Sequence, residues 1–294
     1  MKWLFFLQSI NQILVERSLA SRNQAILLAS SGGQDSTCLF QAISTLCPYW
    51  EWSLAVVSCD HGWFGSKSKS CCSQVGQLVW HNKKKYYQSI VPNQAFGEAK
   101  ARSWRYESFA RIGRAHSYSL VFTGHTASDR AETLFYTIIR GSSQEGLQSL
   151  SWKRKLIFGV YLARPMLAIT RSTSALVCKN ENFCVTLDLS NQRYEWHRSR
   201  IRKRVLPYLR RYFNPKTDQV LCQLAELAHG EACYLAGLCK SLEFRLKFQV
   251  QNFGCLPLTL QRRLLFCFFK YEQARQTFLS IELVRFSFLQ TFYF

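Results

Sequence analysis

Three groups of residues in this chain have the types and spacing that chemistry needs. The first is Ser30-Ser31-Gly32-Gly33-Gln34-Asp35-Ser36, directly behind the apolar run Ala25-Ile26-Leu27-Leu28-Ala29. A strand that passes through a glycine-rich turn into a helix makes an anion site, because the helix start offers unpaired N–H groups and the positive end of its dipole. Gly32 and Gly33 permit the unusual backbone angles that turn successive amides inward, and they let a phosphate approach without meeting a Cβ. Ser31 and Ser36 add hydroxyl donors, and Asp35 is a carboxylate able to hold hydrated Mg2+ against a polyphosphate.

The second group is His125, Asp129 and Glu132, at relative positions 0, +4 and +7 behind Thr123-Gly124. Thr126 and Asp129 have capping-box spacing, so a helix starts here and carries both carboxylates on the side of the histidine. Two carboxylates with a histidine can bind an ammonium group, hold Mg2+ or act as a general base. Acidic residues in a first turn also complement the helix dipole with no ligand at all, which accounts for Asp129 but not for the histidine. Asp60-His61-Gly62 closes another strand, where such a pair orients a ribose or a metal, or simply makes an Asx turn.

The third group is basic. Between Arg193 and Arg211 there are eight Lys/Arg and one acidic residue, with Tyr194, Trp196 and Tyr208 interleaved. Arg198, Arg200, Arg202, Lys203 and Arg204 form its densest part, and the aromatics permit stacking and cation–π contact with nucleic acid. Arg102 and Arg105 lie on an earlier helix whose basic face is equally consistent with plain solvation. Arg140-Gly141 through Leu147 reads as a helix end and a loop able to close over a substrate.

The elements that must position these groups alternate. Strand patterns fall at 25–29, 53–58, 86–91 and 119–123, and helical patterns at 36–46, 68–81, 98–117 and 127–139. Such alternation implies an α/β fold with a parallel sheet flanked by helices, with Ser31–Ser36, Asp60-His61 and Gly124-His125 at the carboxyl ends of the strands. Residues 157–190 are less regular, and from about 195 the pattern is helical with no strand before the aromatic tail. The expected organisation is residues 1–192, opening on an amphipathic helix at 3–19, followed by a smaller helical region at 193–294.

Composition narrows the partners. A net charge of +20 over 294 residues points to a polyanion, because neutralised phosphates release their counterions. The twelve cysteines contain no CxxC pair, so neither an Fe–S cluster nor zinc is expected, and the thiols read as reduced packing residues. The opening apolar run stops at Gln8 with no cleavage-site pattern, and no segment reaches the ~18 apolar residues that a membrane span needs. The chain has no Gly-Lys-Ser/Thr of a Walker loop and no GxGxxG.

The SGGQDS string resembles the PP-loop of the ATP pyrophosphatases. The ordered set resembles one family of them, the tRNA(Ile)-lysidine synthases. It runs through Asp60-His61-Gly62, Glu98-Ala99 with Arg102, Arg105 and Tyr106, and Gly124-His125 with Asp129 and Glu132-Thr133. It continues through Arg140-Gly141, Gly146-Leu147, Arg164-Pro165, Asp188, Ser190-Asn191, Arg198, Ile201-Arg202, Pro207 and Asn214-Pro215, covering about residues 25–230.

The resemblance implies an adenine nucleotide α-hydrolase-like fold. It also implies an enzyme that uses ATP to join L-lysine to C2 of the wobble cytidine of a CAU-anticodon tRNA(Ile), through an adenylated cytidine. On that reading Ser31, Gly32, Gly33, Gln34, Asp35 and Ser36 bind ATP, with Mg2+ at Asp35. Asp35, Asp60, His125, Asp129 and Glu132 serve lysine binding and catalysis. Arg102, Arg105, Arg140, Arg198, Arg200, Arg202, Lys203 and Arg204 hold tRNA. The family's Arg-Asn-x-Ile-Arg stands here as Arg198-Ser199-Arg200-Ile201-Arg202, replacing an amide by a shorter hydroxyl. Cyanobacterial-style phrases such as Ser103-Trp104-Arg105-Tyr106 imply a plastid setting, or else a bacterial cytoplasm. The rival readings are a thiolating PP-loop tRNA enzyme, a small-molecule amidating ligase, and a tRNA-binding protein with a decayed ATP site.

Overall fold

The structure is a computed structural model, and it describes residues 2–60, 62, 66–91, 97–141, 144–186, 197–246, 253, 256–271 and 281–285. His61, Asp188, Ser190-Asn191, Arg193 and the tail from Phe286 lie outside the described residues.

Helix α1 (Trp3–Glu16) precedes β1 (Ala25–Ala29), α2 (Gln34–Trp50), β2 (Ser53–Asp60), α3 (Ser66–His81) and β3 (Lys85–Ile90). Then come α4 (Glu98–Ala115), β4 (Leu120–Thr123), α5 (Ala127–Ile139), α6 (Gln144–Leu147), β5 (Lys153–Ile157), β6 (Val160–Ala163) and α7 (Arg171–Asn180). The remaining helices are α8 (His197–Arg200), a π-helical turn over Ile201–Val205, α9 (Leu206–Tyr212), α10 (Thr217–Leu246) and α11 (Leu258–Tyr271). The six strands form one sheet in the order β3-β2-β1-β4-β6-β5, parallel except for the β5–β6 hairpin at the edge.

Side-chain alternation explains why helices cover both faces. Ile26, Leu28, Val56, Leu120 and Phe122 point into one core with α1, α2 and α7. Leu27, Ala55, Val57 and Val121 point into the other, where Phe109 and Tyr106 of α4 pack. Strands buried on both sides read as the continuous apolar runs that marked them in the sequence. The chain steps from β1 outward to β3 and returns to β4 on the other side of β1, so β1 and β4 flank the switch point where ligands of such sheets bind.

Several expectations shift. Helix α2 begins at Gln34 rather than near residue 36 and runs to Trp50 with Pro48 inside it. The irregular stretch contains β6 and α7, and β5 ends at its start. Strand β5 escaped the pattern because Lys153-Arg154-Lys155 make a charged, exposed edge, as edge strands do to avoid pairing with other chains. Two compact units emerge, Met1–Ser142 with Ser149–Ala225, and Ser143–Gln148 with Glu226–Phe294. That division falls at 225/226; the expected boundary at 192/193 lies outside the described residues. No described cysteine is in a disulfide. Among the described residues no helix is long and apolar enough to cross a membrane.

Candidate active site

The loop after β1 holds its own shape through hydroxyls. Ser31 N–H donates to Ser36 Oγ at 3.2 Å, Ser36 Oγ donates to Gly33 O at 2.9 Å, and Gly32 N–H donates to Ser30 Oγ at 3.3 Å. Gly32 has φ +77°, and a Cβ there would lie 2.9 Å from Thr186 Oγ1 and 3.0 Å from Val75 Cγ2. Gly33 has φ −70° and serves as the helix N-cap, so only one of the two glycines supplies the left-handed turn that was expected of both. Gly32→Ala is therefore expected to cost about 1–2 kcal/mol of stability from backbone strain alone. Thermal unfolding checks this, and an unchanged melting temperature would contradict it.

The carboxylate of Asp35 is already engaged. Arg171 Nε donates to its Oδ2 at 2.9 Å, and the Ser174 hydroxyl donates to its Oδ1. Gln34 Nε2 reinforces the same junction, reaching Arg171 O at 2.9 Å and Ser174 Oγ at 2.8 Å. The start of α7 is thus fastened to the start of α2. Arg171 and Ser174 were not singled out from the sequence, since nothing local marks residues that act across more than 130 positions.

The β4 loop reaches the same place. A Cβ on Gly124 would lie 3.1 Å from the Asp35 backbone, so glycine is what lets the two loops touch. The capping box forms as its spacing implied: Asp129 Oδ2 accepts from Thr126 N–H and Thr126 Oγ1, both at 2.9 Å. His125 Nδ1 lies 2.9 Å from Thr123 Oγ1. Burial and then the Arg164 cation hold this imidazole well below its usual range, so it is neutral at pH 7.

A depressed histidine favours the folded state above the unfolded value near 6.5, and that contribution is lost as pH falls below it. His125→Gln is expected to reduce the drop in melting temperature between pH 7.5 and pH 5.5. An equal drop in both proteins would remove His125 from that account.

Asp129 and Glu132 meet an unforeseen partner. Arg202, grouped in the sequence with the outward basic residues, turns inward from the π-helical turn. Its Nε lies 2.5 Å from Glu132 Oε1, and its Nη2 lies 2.8 Å from Glu132 Oε2 and 3.1 Å from Asp129 Oδ1. Arg171 Nη2 stands 3.6 Å from the same Asp129 oxygen. The result is a continuous chain, Asp35–Arg171–Asp129–Arg202–Glu132, linking both loops. Among the described residues it sets three carboxylates against two guanidinium groups.

Within that chain the two α5 carboxylates differ. Burial raises Asp129, but the Arg171 and Arg202 cations and the Thr126 backbone hydrogen bond outweigh it and hold the carboxyl below its usual range. Burial pushes Glu132 up, and the Arg202 hydrogen bonds only partly offset it. Beside them opens a cleft of about 510 Å3, lined by Ser128, Glu132, Arg171, Arg202, Arg210 and Asp218 among others. That volume suits a small polar ligand.

Other expected residues sit differently. Asp60 is buried and accepts from Gly62 N–H at 2.8 Å, which is the Asx turn of the plainer reading. Arg140 and Arg198 flank the ring of Tyr136 at 5.3 and 5.7 Å. Arg200 and Arg204 face solvent, and Lys203 is half-buried. Near them Tyr208, Tyr212 and Phe213 form an exposed ring cluster, with centroids 4.8 Å apart (Tyr208–Tyr212) and 5.9 Å apart (Tyr208–Phe213), and Arg211 over Tyr212. The i, i+4 spacing of Tyr208 and Tyr212 beside an arginine run was the available signal for it.

Residues 5–209 match the family model described as PP-loop domain. A chloroplastic tRNA(Ile)-lysidine synthase of Zygnema circumcarinatum is 35% identical, covering 89% of this chain and 74% of its own. Enzymes of the same name from Nostoc sp. and Synechococcus sp. are 37% and 39% identical, covering 83% and 93% of this chain and 71% and 85% of theirs. Among solved structures, the U34-tRNA thiolase NcsA of Methanococcus maripaludis shares the fold. Its TM-score is 0.62 at 14% identity, over 76% of this chain and 79% of that one. With the loop, the sheet order and these relatives in agreement, the chain belongs to the tRNA(Ile)-lysidine synthases of the PP-loop family.

Proposed function

We propose that this chain joins L-lysine to the wobble cytidine of a CAU-anticodon tRNA(Ile) at the expense of ATP. The cytidine O2 attacks the α-phosphate, pyrophosphate leaves, and the base is held as an adenylate. The lysine ε-amine then attacks C2 and AMP departs. The observation that carries this reading is the charge chain from Asp35 to Glu132. It ties a phosphate-binding loop to a carboxylate pair, Asp129 and Glu132, whose negative charge suits an incoming ammonium group.

The residues divide the work. Ser31, Gly32, Gly33, Gln34 and Ser36 line the loop for the ATP phosphates, whose negative charge the α2 N-terminus favours. Asp129, held ionised, anchors the ammonium group. Glu132, with its raised carboxyl, accepts the proton that the ε-ammonium must lose before it can attack. Arg202 gives up part of its hold on the pair when lysine enters, and neutral His125 adds no cation to repel it.

Among the described residues no cluster of three or more His, Cys, Asp or Glu side chains is placed to hold a metal. The donor set fits Mg2+ only as ATP brings it, with phosphate oxygens, waters and one carboxylate, and Asp35 is the residue to supply that ligand. Held there by Asp35, such an ion would neutralise charge on the departing pyrophosphate.

Residues 1–192 carry the ATP loop and the lysine carboxylates in this account, with Arg102, Arg105 and Arg140 toward tRNA, while 193–294 lend Arg202 to those carboxylates and supply the main tRNA contacts. Arg198, Arg200, Lys203 and Arg204 meet phosphates, and the Tyr208–Phe213 rings offer bases a stacking surface. The setting is a plastid, supported by the chloroplastic and cyanobacterial relatives. The test is AMP release from ATP with CAU tRNA. Release that needs both lysine and this tRNA is expected; release independent of lysine would overturn the two-step account.

A further inference from the structure

The cleft beside Glu132 has a second end, built from the last turn of α9 and the first turn of α10. Asp218 there accepts from three donors. Arg210 Nε reaches its Oδ1 at 2.9 Å, Arg210 Nη2 its Oδ2 at 2.8 Å, and the Ser128 hydroxyl the same Oδ2 at 2.8 Å. Asp218 and Ser128 are 8% and 6% exposed. Ser128 lies on α5, one residue before Asp129 and one helical turn before Glu132, so the Arg210–Asp218 pair is fastened to the helix that carries both carboxylates. All of these residues belong to the unit formed by 1–142 and 149–225.

Lys216 lines the same cleft of about 510 Å3. The Asn214-Pro215 turn sets its place: Asn214 Oδ1 accepts from Lys216 N–H at 2.8 Å, and Asn214 O accepts from Thr217 N–H at 3.0 Å. The Lys216 side chain is exposed and forms no ion pair among the described residues. Arg210 uses Nε and Nη2 on Asp218, and its Nη1 makes no hydrogen bond among the described residues. Asp218 Oδ1 accepts only one bond there, where a carboxylate oxygen has room for two.

This end of the cleft discriminates by charge. A phosphate or other pure anion meets the Asp218 carboxylate, and a bare amine meets Lys216 and Arg210, so like charge opposes each of them. An α-amino acid head carries both charges on one carbon. Its carboxylate accepts from Arg210 Nη1 and the Lys216 ammonium, and its own ammonium donates to Asp218 Oδ1. The spacing agrees with lysine. One turn of α5, about 5.4 Å along the axis, separates Ser128 from Glu132. The four methylenes of an extended lysine place Nζ about 6 Å from Cα, a comparable span.

We propose that Asp218, Arg210 and Lys216 read the α-amino-acid head of the substrate, while Asp129 and Glu132 take its ε-ammonium. The assignment rests on the lysine ligation proposed above and adds the residues that select an amino acid over a plain amine. No bond forms or breaks at this end of the cleft.

The test compares L-lysine with cadaverine, which lacks the carboxylate, and with 6-aminohexanoate, which lacks the α-amine, as donors to CAU tRNA. In the unaltered protein kcat/KM is expected to favour lysine over both. Lys216→Met, at an exposed position, should lower the preference over cadaverine about fivefold, through KM, which is the size an exposed ion pair supplies. Asp218→Asn should lower the preference over 6-aminohexanoate about tenfold. Equal losses for all three compounds would assign these residues to structure alone and overturn the proposal, as would unaltered preferences in both variants. Thermal stabilisation by the same compounds without tRNA or ATP separates the head-group site from the function. Stabilisation by lysine above cadaverine, with no lysine ever transferred, sinks the functional reading and leaves the site standing. Transfer that treats lysine and cadaverine alike in the unaltered protein overturns the site and leaves the ligation standing.

Discussion

Asp35→Asn is expected to lower ATP-dependent adenylation of CAU tRNA by about 10²–10³-fold, the range seen when one electrostatic stabiliser of a developing charge is removed. The substitution keeps size and hydrogen-bonding capacity but deletes the charge that Arg171 pairs with at 2.9 Å. Two consequences combine. The carboxylate proposed to receive Mg2+ with ATP is gone, and Arg171 loses the contact that holds α7 against the start of α2. Arg171→Lys separates them: it keeps a cation beside Asp35 but loses the fork that also reaches Asp129, so it should impair adenylation less than Asp35→Asn does. Measuring adenylated tRNA before lysine is added checks both, and near-normal adenylation in Asp35→Asn would remove this residue from the site.

Glu132→Gln should fail in the opposite half of the reaction. Adenylation proceeds within a few-fold of normal, while lysine transfer falls by about 10²–10⁴-fold, the contribution typical of a positioned general base. Stability changes as well. Glu132 is buried and bound by both Arg202 nitrogens, and breaking one side of such a pair strands the other. Because Arg202 retains partial access to solvent, the cost is set at about 2–3 kcal/mol, below that of a fully buried pair. Single-turnover kinetics from pre-adenylated tRNA reads the chemistry apart from the stability. Equal losses in both steps would contradict a base that acts on lysine alone.

Much of this arrangement was legible in the residues. The apolar runs of β1, β2 and β4 announced a sheet buried on both faces, and the Thr126–Asp129 spacing gave the start of α5 to the residue. Local pattern carries such features because adjacent side chains determine them. The ionic chain was not legible, since Arg171 and Arg202 reach their carboxylates across 136 and 70 positions. Arg202 in particular sits in a basic run whose neighbours face outward, and only the π-helical turn over Ile201–Val205 aims it inward. The short edge strand β5 was hidden by its charge, and the role of Gly124 by its dependence on a loop almost ninety residues earlier.

The most direct measurement is transfer of radiolabelled lysine, with ATP, to tRNA(Ile) carrying CAU and to an isoleucine tRNA with another anticodon. The account predicts label on the CAU tRNA alone, dependent on ATP and lost in Asp35→Asn and Glu132→Gln. Label retained equally by both tRNAs, or label that persists in those variants, would contradict it.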